Sequence, residues 1–244
     1  MLKILIVGGP VEYYIDRCLK SLILQFYTNW EAQVVLDPFK DKSYEKALNW
    51  QSEKLKIHIN RERQTALPNL IKAAEMLHPT DEDILVTLDA DDWFYDINVL
   101  ALIASYYERN PNLLLTHGSW VGYPNKDAQT NNYPYTEEEF KYNIRTFPWR
   151  ASHLRTFKYK VWKYVKDEDL RDERGCYFES AWDLAMMWPM LEMSGFDRVK
   201  FIPEKLYVYN MENPCNDAKM RVHQQMYYTD YIARKAPYGR LETF

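Results

Sequence analysis

Short apolar runs alternate with helix-like segments through the first half of the chain. Strands are predicted at residues 2–7, 32–36, 55–59 and 84–88, and helices at 15–26, 44–48, 67–77 and 99–107. The strands follow from apolar runs or apolar–polar alternation, and the helices from apolar residues that recur at helical spacing. Repeated strand–helix units of this length predict an α/β protein whose mostly parallel central sheet is flanked by helices.

The pattern changes after residue 115. Residues 121–156 are rich in Tyr, Asn, Pro and charge and have weak periodicity, so we interpret them as an elaborated loop region over a site. Beyond them we predict an apolar helix at Trp182–Met193, short strands at Val199–Ile202 and Leu206–Tyr209, and a polar helix from about Asp217 to Ala233. Because no repeat or clear interdomain linker is visible, we expect one domain, 1–244.

Composition excludes several classes of protein. The chain has 244 residues, of which 47% are hydrophobic, and can bury a sizeable core. Its formal net charge of -4 gives no general attraction to nucleic acid. The 3 cysteines are far apart, which argues against a disulfide framework or zinc site, and no apolar run approaches the roughly 20 residues that span a bilayer. We therefore expect a soluble cytoplasmic protein without a transmembrane segment, and leave open whether it forms a homo-oligomer.

A cluster of carboxylates follows the fourth predicted strand. Asp89, Ala90, Asp91 and Asp92 come directly after residues 84–88. Carboxylates held at the end of a buried strand repel one another unless a cation joins them, and oxygen ligands favour hard ions such as Mg²⁺ or Mn²⁺. In enzymes these ions usually bridge to the phosphates of a substrate. A divalent metal site is therefore favoured here over a solvated acidic turn.

The first two predicted strands also end in candidate residues. Gly8-Gly9-Pro10 lacks the G-x-G-x-x-G fingerprint, and Pro10 lacks the N–H that a phosphate cradle would use, so a dinucleotide-binding site is disfavoured. Asp37 ends the second strand, at the sheet edge where ligands bind in open α/β sheets. It is suited to accept a hydrogen bond from a nucleobase imide or a ribose hydroxyl, and a turn or cap is an equally good interpretation.

Several segments share the pattern of one enzyme family. In the first half these are the Cys18–Leu22 helix with Gln25, the Val34–Asp37 strand end, the Ala66–Ala74 helix with Asn69, and Asp89–Asp92. In the second half they are His153–Phe157 and the segment from Trp182-Asp183 to Glu192–Gly195. Over nearly the whole chain these segments resemble family 2 glycosyltransferases, whose nucleotide-sugar-binding fold is called GT-A. The second half is most similar to bacterial chondroitin- and hyaluronan-type synthase domains.

The resemblance implies a division of functions along the chain. Residues 1–117 would bind the nucleotide sugar, residues 118–216 would bind the acceptor and carry the catalytic group, and 217–244 would form a C-terminal helix and tail. In an inverting transfer a carboxylate takes the proton of the acceptor hydroxyl, and the resemblance assigns this function to Asp183. Glu179 is the nearest substitute. Without the resemblance, we would interpret Asp183 as an acid in the first turn of a helix.

The resemblance also implies donor and metal ligands. Asp37 would recognise the nucleobase, Asp89 would contact the ribose or its neighbourhood, and Asp91 would ligate the metal on the donor diphosphate. The donor site would further include Pro10, Arg63, Ala90, His153 and Arg155. For Arg61, and for the possible sugar platforms Trp93, Trp120 and Trp149, a structural or surface function is the favoured interpretation.

Two departures from the family pattern affect these assignments. Leu36 stands where relatives commonly have the first of two aspartates, so Asp37 alone would read the base. Asn213 stands where chondroitin-type relatives have a metal-binding His. Asn213 would supply a neutral oxygen to the ion, and His223 is a less favoured replacement.

The sequence thus predicts a metal-dependent inverting glycosyltransferase. It would move a sugar from a nucleotide-diphosphate donor, with a UDP-sugar favoured, to a hydroxyl of a glycan or other acceptor. The alternative enzyme is a haloacid-dehalogenase-like phosphohydrolase, whose site also opens with D-x-D after a strand. Such sites usually have Thr or Val where this chain has Trp93-Phe94, and they use an early strand. A nucleotide-sugar-binding relative without turnover is the non-enzymatic alternative.

Overall fold

The computed structural model describes residues 1–127, 133–215 and 220–243. Within these ranges the strands are β1 (Leu2–Gly8), β2 (Trp30–Leu36), β3 (Leu55–Ile59), β4 (Ile84–Asp89), β5 (Trp93–Phe94), β6 (Leu115–Tyr123), β7 (Arg155–Lys158) and β8 (Val199–Asn210). The α-helices are α1 (Ile15–Ile23), α2 (Ser43–Leu48), α3 (Ala66–Met76), α4 (Val99–Arg109), α5 (Glu137–Tyr142), α6 (Tyr159–Trp162), α7 (Trp182–Ser194) and α8 (Val222–Ala233). Short 3-10 helices lie at Ile144–Thr146, Asp167–Leu170 and Phe196–Arg198.

One mixed sheet contains all of these strands, in the order β3-β2-β1-β4-β7-β6-β8-β5. The first four strands of this order are parallel, as the alternating sequence pattern predicts. β7 is antiparallel to both β4 and β6, β6 is parallel to β8, and β5 is antiparallel to β8. Because β1, β2 and β4 are parallel neighbours, their carboxyl ends meet at one edge of the sheet.

Apolar side chains cover both faces of the sheet. Alternate residues of a strand point to opposite faces. In β1, Leu5 and Val7 belong to the core that includes α3 and α7, whereas Ile4 and Ile6 belong to the core that includes α1 and α4. All four side chains are at most 3% exposed. Burial on both faces holds β1 in place, and the first loop of the candidate site begins at the end of this strand.

The second half contains more regular structure than the sequence predicted. β6 extends to Tyr123, α5 lies at Glu137–Tyr142, and β7 begins at Arg155, so the 121–156 region is not only loop. The two short strands predicted near the C-terminus are one strand, β8. The last helix begins at Val222, and its predicted start at Asp217 lies outside the described residues.

No helix in the described ranges combines the length and the apolar character that crossing a bilayer requires.

Candidate active site

A cavity of about 470 Å³ lies at the carboxyl ends of β1, β2 and β4. The loops after these strands form one side, the start of α7 forms another, and the segments around Asn213 and Arg221 complete it. Nine of the ten predicted site residues line it: Pro10, Asp37, Arg63, Asp89, Asp91, His153, Arg155, Asp183 and Asn213. The sheet edge therefore brings together residues that are far apart in the sequence.

Ala90, the tenth predicted residue, is fully buried against β1. Its backbone N–H donates to the Val7 carbonyl at 2.8 Å, which ties the acidic loop to the neighbouring strand. A Cβ at Gly8 would lie 2.8 Å from the Cβ of Ala90, which is closer than two non-bonded carbon atoms approach. The loop after β4 thus depends on a glycine at the end of β1.

Asp37 lies at the end of β2 and is buried. Its Oδ1 accepts from Asn60 Nδ2 at 3.0 Å and from the Gln64 N–H at 2.9 Å, and its Oδ2 accepts from the Thr65 N–H at 2.9 Å. An ionised carboxylate offers about four acceptor positions. Among the described residues, three of these positions are therefore filled, and the remaining one is on Oδ2.

Asp91 lies in the acidic loop and is partly buried. Its Oδ2 accepts from Asn213 Nδ2 at 2.7 Å. Burial raises the pKa of Asp91, although the Asn213 amide opposes this change by stabilising the carboxylate. A divalent cation at this carboxylate would favour the ionised form in the same way. The oxygen chemistry and the burial of Asp91 fit a hard divalent ion.

Asp92 has a structural environment. Its Oδ2 accepts from the Tyr207 hydroxyl at 2.6 Å, and its Oδ1 accepts from the Asn210 N–H at 2.6 Å. Burial, together with the negative charges of Asp91 and Asp89, raises its pKa well above the usual value. Because both oxygens accept hydrogen bonds from β8, we assign Asp92 to anchoring the acidic loop on that strand.

A second set of potential metal ligands combines two carboxylates of the acidic loop with a histidine. Ligand atoms of Asp89, Asp92 and His153 lie within 4.8 Å of one another. Asp92 is held by β8, and Nδ1 of His153 lies 3.2 Å from Arg155 Nη2. Burial and the Arg155 charge also lower the pKa of His153 well below its usual value. The guanidinium that faces this group makes it a poorer cation site than Asp91.

Asp183 lies in the first turn of α7, and its side chain is 17% exposed. Its Oδ2 accepts from Trp149 Nε1 at 3.2 Å and lies 3.3 Å from Arg155 Nη1. Burial raises the pKa of Asp183, and the Arg155 charge and the Trp149 indole oppose this effect. Asp183 is thus both a first-turn acid and a carboxylate that lines the cavity, so the two interpretations of the sequence are compatible.

Arg155 and His153 lie between the acidic loop and α7. Arg155 is 2% exposed, and its Nε donates to Thr87 Oγ1 at 3.2 Å. The His153 ring is stacked on Tyr207, with ring centroids 4.6 Å apart. Both predicted residues line the cavity, but their side chains are held by other parts of the chain rather than extended into solvent.

Other candidates occupy varied positions. Glu179 lines the cavity and forms an ion pair with Arg221 at 2.7 Å. Arg61 and His223 are exposed and are not among the lining residues. Trp93 and Trp120 pack in apolar clusters, as expected, and Trp149 packs against the core while its indole N–H donates to Asp183.

Phe39 is a lining residue that the sequence did not single out. The residue is 38% exposed, and a Cβ added at Gly9 would lie 3.1 Å from its ring. Phe39 lines the cavity together with Asp37 and Arg63. Its position two residues after a strand-end aspartate was the only available signal. An aromatic ring in a polar loop is not distinctive without the cavity.

Comparisons with known proteins identify the family. The family model for Glycosyl transferase family 2 matches residues 11–166, which is more than half of the chain. Comparison with curated proteins found no match.

Two solved structures show the same fold. S. aureus TarS 1-349 in complex with UDP-GlcNAc matches with a TM-score of 0.67 and 16% identity, over 95% of this chain and 66% of that one. The mannosyltransferase PcManGT from Pyrobaculum calidifontis, in complex with GDP-Man and Mn²⁺, matches with a TM-score of 0.66 and 16% identity, over 98% of this chain and 65% of that one. This chain therefore spans just under two thirds of the length of either structure. It belongs to glycosyl transferase family 2 and has the GT-A fold.

Proposed function

We propose that this protein transfers a sugar from a nucleotide-diphosphate donor to an acceptor hydroxyl, with a divalent metal and with inversion at the anomeric carbon. One observation supports this proposal above all others. Asp91 and Asp183, to which we assign metal binding and proton abstraction, line a single cavity with Asp37 at the carboxyl edge of the sheet. A metal site and a base on the same cavity are what a displacement at a nucleotide sugar requires.

The transfer takes place as one displacement. The acceptor oxygen forms a bond to the anomeric carbon from the face opposite the diphosphate, which inverts the configuration at that carbon. The bond from the anomeric carbon to the diphosphate oxygen breaks, and the nucleoside diphosphate leaves with the electron pair. Asp183, a carboxylate of the acceptor half that lines the cavity at the start of α7, takes the proton of the acceptor hydroxyl; Glu179, which also lines the cavity but pairs with Arg221, is the nearest substitute.

Asp91 is the proposed ligand for Mn²⁺ or Mg²⁺. When bound, such an ion offsets the negative charge that builds on the departing diphosphate. Asn213 is the proposed second ligand, through the amide oxygen that here accepts from the Cys215 N–H at 3.0 Å. The carboxylate of Asp91 supplies the stronger attraction, because it carries a charge and the amide does not.

A UDP-sugar is the donor that Asp37 suits best. Uracil presents one ring N–H between two carbonyl oxygens, whereas guanine presents a ring N–H and an adjacent amino group. Three of the acceptor positions of Asp37 are filled by Asn60, Gln64 and Thr65. The remaining position on Oδ2 matches the single donor of uracil. A guanine would need both oxygens to be available.

The other lining residues support this orientation of the donor. Phe39 offers a half-exposed ring on which a base can stack, and Arg63 offers a guanidinium to the carbonyl oxygens of the base. We propose that Pro10 contacts the base or ribose, and that Asp89 contacts the ribose. Of the other two predicted donor-site residues, Arg155 lies against Asp183, with Nη1 at 3.3 Å from Oδ2, and His153 lies beside Arg155.

The acceptor is proposed to be a hydroxyl of a glycan or glycoconjugate. It would enter beside α7, so that residues 1–117 bind the donor and residues 118–216 bind the acceptor. TarS in complex with UDP-GlcNAc and PcManGT in complex with GDP-Man contain different nucleotides and sugars. The choice of UDP for this chain therefore depends on the Asp37 environment, and the sugar is left open.

Donor binding and turnover test the proposal separately. A panel of UDP- and GDP-sugars is added with Mn²⁺, and thermal unfolding and release of nucleoside diphosphate are measured. At least one donor should raise the unfolding temperature and be slowly hydrolysed. Asp91→Ala should abolish metal-dependent binding, whereas Asp183→Asn should keep binding and lose about 100-fold or more in turnover. Asp230→Asn, an exposed residue on α8, is the matched control and should change neither quantity.

Each alternative gives a different result. If no donor changes the unfolding temperature, the proposal fails. Release of inorganic phosphate from simple phosphomonoesters would instead identify a phosphohydrolase. Donor binding without turnover by the unmodified protein would identify an inactive relative. Equal turnover by Asp183→Asn and the unmodified protein would refute the assignment of the base.

A further inference from the structure

One buried guanidinium joins the donor and acceptor sides of the cavity. Arg155 Nη1 lies 3.3 Å from Asp183 Oδ2, and Arg155 Nη2 lies 3.8 Å from Asp89 Oδ2. Asp89 ends β4, and Asp183 is in the first turn of α7. The two carboxylates therefore share a single cation, although 94 residues (183 − 89) separate them in the sequence.

The orientation of Arg155 is set by groups on several elements. Its Nε donates to Thr87 Oγ1 on β4 at 3.2 Å, and its Nη2 lies 3.2 Å from Nδ1 of His153. Its guanidinium lies 4.9 Å from the centroid of the Trp182 ring. With 2% of the residue exposed, the guanidinium has little freedom to turn from Asp183 toward a bound ligand.

We propose that Arg155 is a positioning residue, which holds the Asp183 carboxylate in place and keeps it ionised so that it can accept the acceptor proton. This inference rests on the proposed function, because it concerns the base of the same transfer. It separates Arg155 from Arg63, which is exposed at the nucleotide end of the cavity and is free to contact the donor.

Asp183 needs a neighbouring cation to stay ionised because its carboxyl group is buried. Burial favours the neutral carboxylic acid and raises the pKa, and Arg155 is the first of the groups that lower it again. A protonated Asp183 cannot take a proton from the acceptor. A guanidinium within hydrogen-bonding distance typically lowers the pKa of a carboxyl by about 1 to 3 units. A buried carboxylate that loses its cation is left uncompensated, which is the costly state of a buried ion pair.

The other groups that lower the pKa of Asp183 act more weakly than Arg155 does. Trp149 Nε1 donates to it at 3.2 Å, and the N–H of Leu184 on its own helix also lowers its pKa. Glu179, the other carboxylate near the start of α7, is paired with Arg221 at 2.7 Å. Arg155 is therefore the cation that compensates Asp183 among the described residues.

The pH dependence of turnover tests this function. The limb of kcat/KM that rises with pH should report ionisation of Asp183. In Arg155→Met this limb should move to higher pH by about 1 unit or more, so that activity lost at low pH is partly recovered at high pH. Arg155→Lys should give an intermediate shift. Donor KM should change by less than about threefold, which corresponds to less than about 0.7 kcal/mol of binding free energy.

Arg145→Met is the matched control. Arg145 is also buried and forms a bidentate ion pair with Glu192, at 2.6 and 2.8 Å, but it has no contact with Asp183. Its loss should lower the unfolding temperature without moving the rising limb. An unmoved limb in Arg155→Met would overturn the proposal. A large rise in donor KM with an unmoved limb would instead identify Arg155 as a diphosphate ligand.

A double-mutant cycle gives a readout that does not depend on turnover. Unfolding temperatures are compared for Arg155→Met, Asp183→Asn and the double variant at neutral and at acidic pH. If Arg155 compensates the ionised Asp183, the two substitutions are non-additive at neutral pH, and the coupling falls when the carboxyl is protonated. Additive effects at neutral pH would overturn the proposal. If coupling is found but no donor is turned over, the proposed function fails and the proposal with it, although the ion pair remains.

Discussion

Asn213 presents its amide nitrogen, not its oxygen, to Asp91. Asn213 Nδ2 donates to Asp91 Oδ2 at 2.7 Å, while Asn213 Oδ1 accepts from the N–H of Cys215 at 3.0 Å. The backbone donor fixes which end of the amide faces the carboxylate. In this arrangement Asn213 stabilises the ionised Asp91, as a cation would. To act as a metal ligand, the amide has to turn so that its oxygen faces the ion.

Asn213→Asp should strengthen metal binding. The substitution replaces an N–H donor with a carboxylate, so that two like charges lie close together in the absence of the ion and both attract it when it is present. We expect a lower unfolding temperature without metal and a Kd for Mn²⁺ lower by about tenfold, which corresponds to about 1.4 kcal/mol. Calorimetric titration with Mn²⁺ measures this. Asn125→Asp, which adds the same charge at an exposed position, is the control, and an equal change in both variants would contradict the prediction.

UDP should bind more tightly than GDP. Asp37 has one acceptor position left on Oδ2 after the hydrogen bonds from Asn60, Gln64 and Thr65. Guanine would leave one of its two adjacent donors unpaired, at a cost of about 1 to 3 kcal/mol, or roughly fivefold to 140-fold in Kd. Calorimetric titrations with both nucleotides in the presence of Mn²⁺ measure the ratio.

Phe39→Ala separates stacking from hydrogen bonding in this comparison. Loss of the ring should weaken both nucleotides by about tenfold or more and leave the UDP to GDP ratio nearly unchanged. Phe26→Ala removes a ring that is 70% exposed outside the cavity and should have no effect. Tighter binding of GDP by the unmodified protein would contradict the assignment of Asp37.

The sequence predicts the strands that need no tertiary information. β1, β2 and β4 are mostly apolar because both of their faces are buried, and the carboxyl ends of parallel strands share an edge. β7 was missed because its four residues include Arg155 and Lys158, both buried. Their partners, Asp183 and Glu82, are distant in sequence, and a pattern of polarity does not contain such pairings.

The site residues also divide into those that the strand pattern predicts and those that it does not. Asp37, Asp89 and Asp91 were predicted because each follows a strand, whereas Asp183 depended on the family resemblance. The relationships between residues were not predictable. Nothing in the sequence indicates that Trp149, which packs against the core, also donates a hydrogen bond to Asp183.

Tyr207→Phe should destabilise the acidic loop. The Tyr207 hydroxyl donates to Asp92 Oδ2 at 2.6 Å and accepts from the Asp89 N–H at 3.2 Å. Its removal leaves a buried carboxylate oxygen and a backbone N–H without this partner, which typically costs about 1 to 3 kcal/mol of unfolding free energy. Urea unfolding measures the loss. Tyr106→Phe, whose hydroxyl meets Glu204 at 3.5 Å on the surface, should change the free energy little, and equal losses would refute the prediction.

His117→Phe should make the protein less sensitive to mild acid. His117 is 1% exposed, with its ring 5.3 Å from the rings of Tyr135 and Phe201. Burial lowers its pKa from 6.5 to about 4. The folded state therefore binds the proton more weakly than the unfolded state does, so the stabilisation is complete above pH 6.5 and is lost as the pH falls toward 4.

Comparing His117→Phe with the unmodified protein separates the effect of His117 from that of the other groups that titrate in the same pH range. Between the two pKa values, His117 costs the unmodified protein about 1.4 kcal/mol of unfolding free energy per pH unit. Phe cannot take a proton and keeps an aromatic ring in the same position, so the variant should lose less unfolding temperature between pH 7 and pH 5 than the unmodified protein, by several degrees at about 2 to 4 °C per kcal/mol. His223→Phe, at an exposed position on α8, is the control substitution. Parallel loss of stability by the His117 variant and the unmodified protein would mean that His117 binds its proton equally well in the folded and unfolded states.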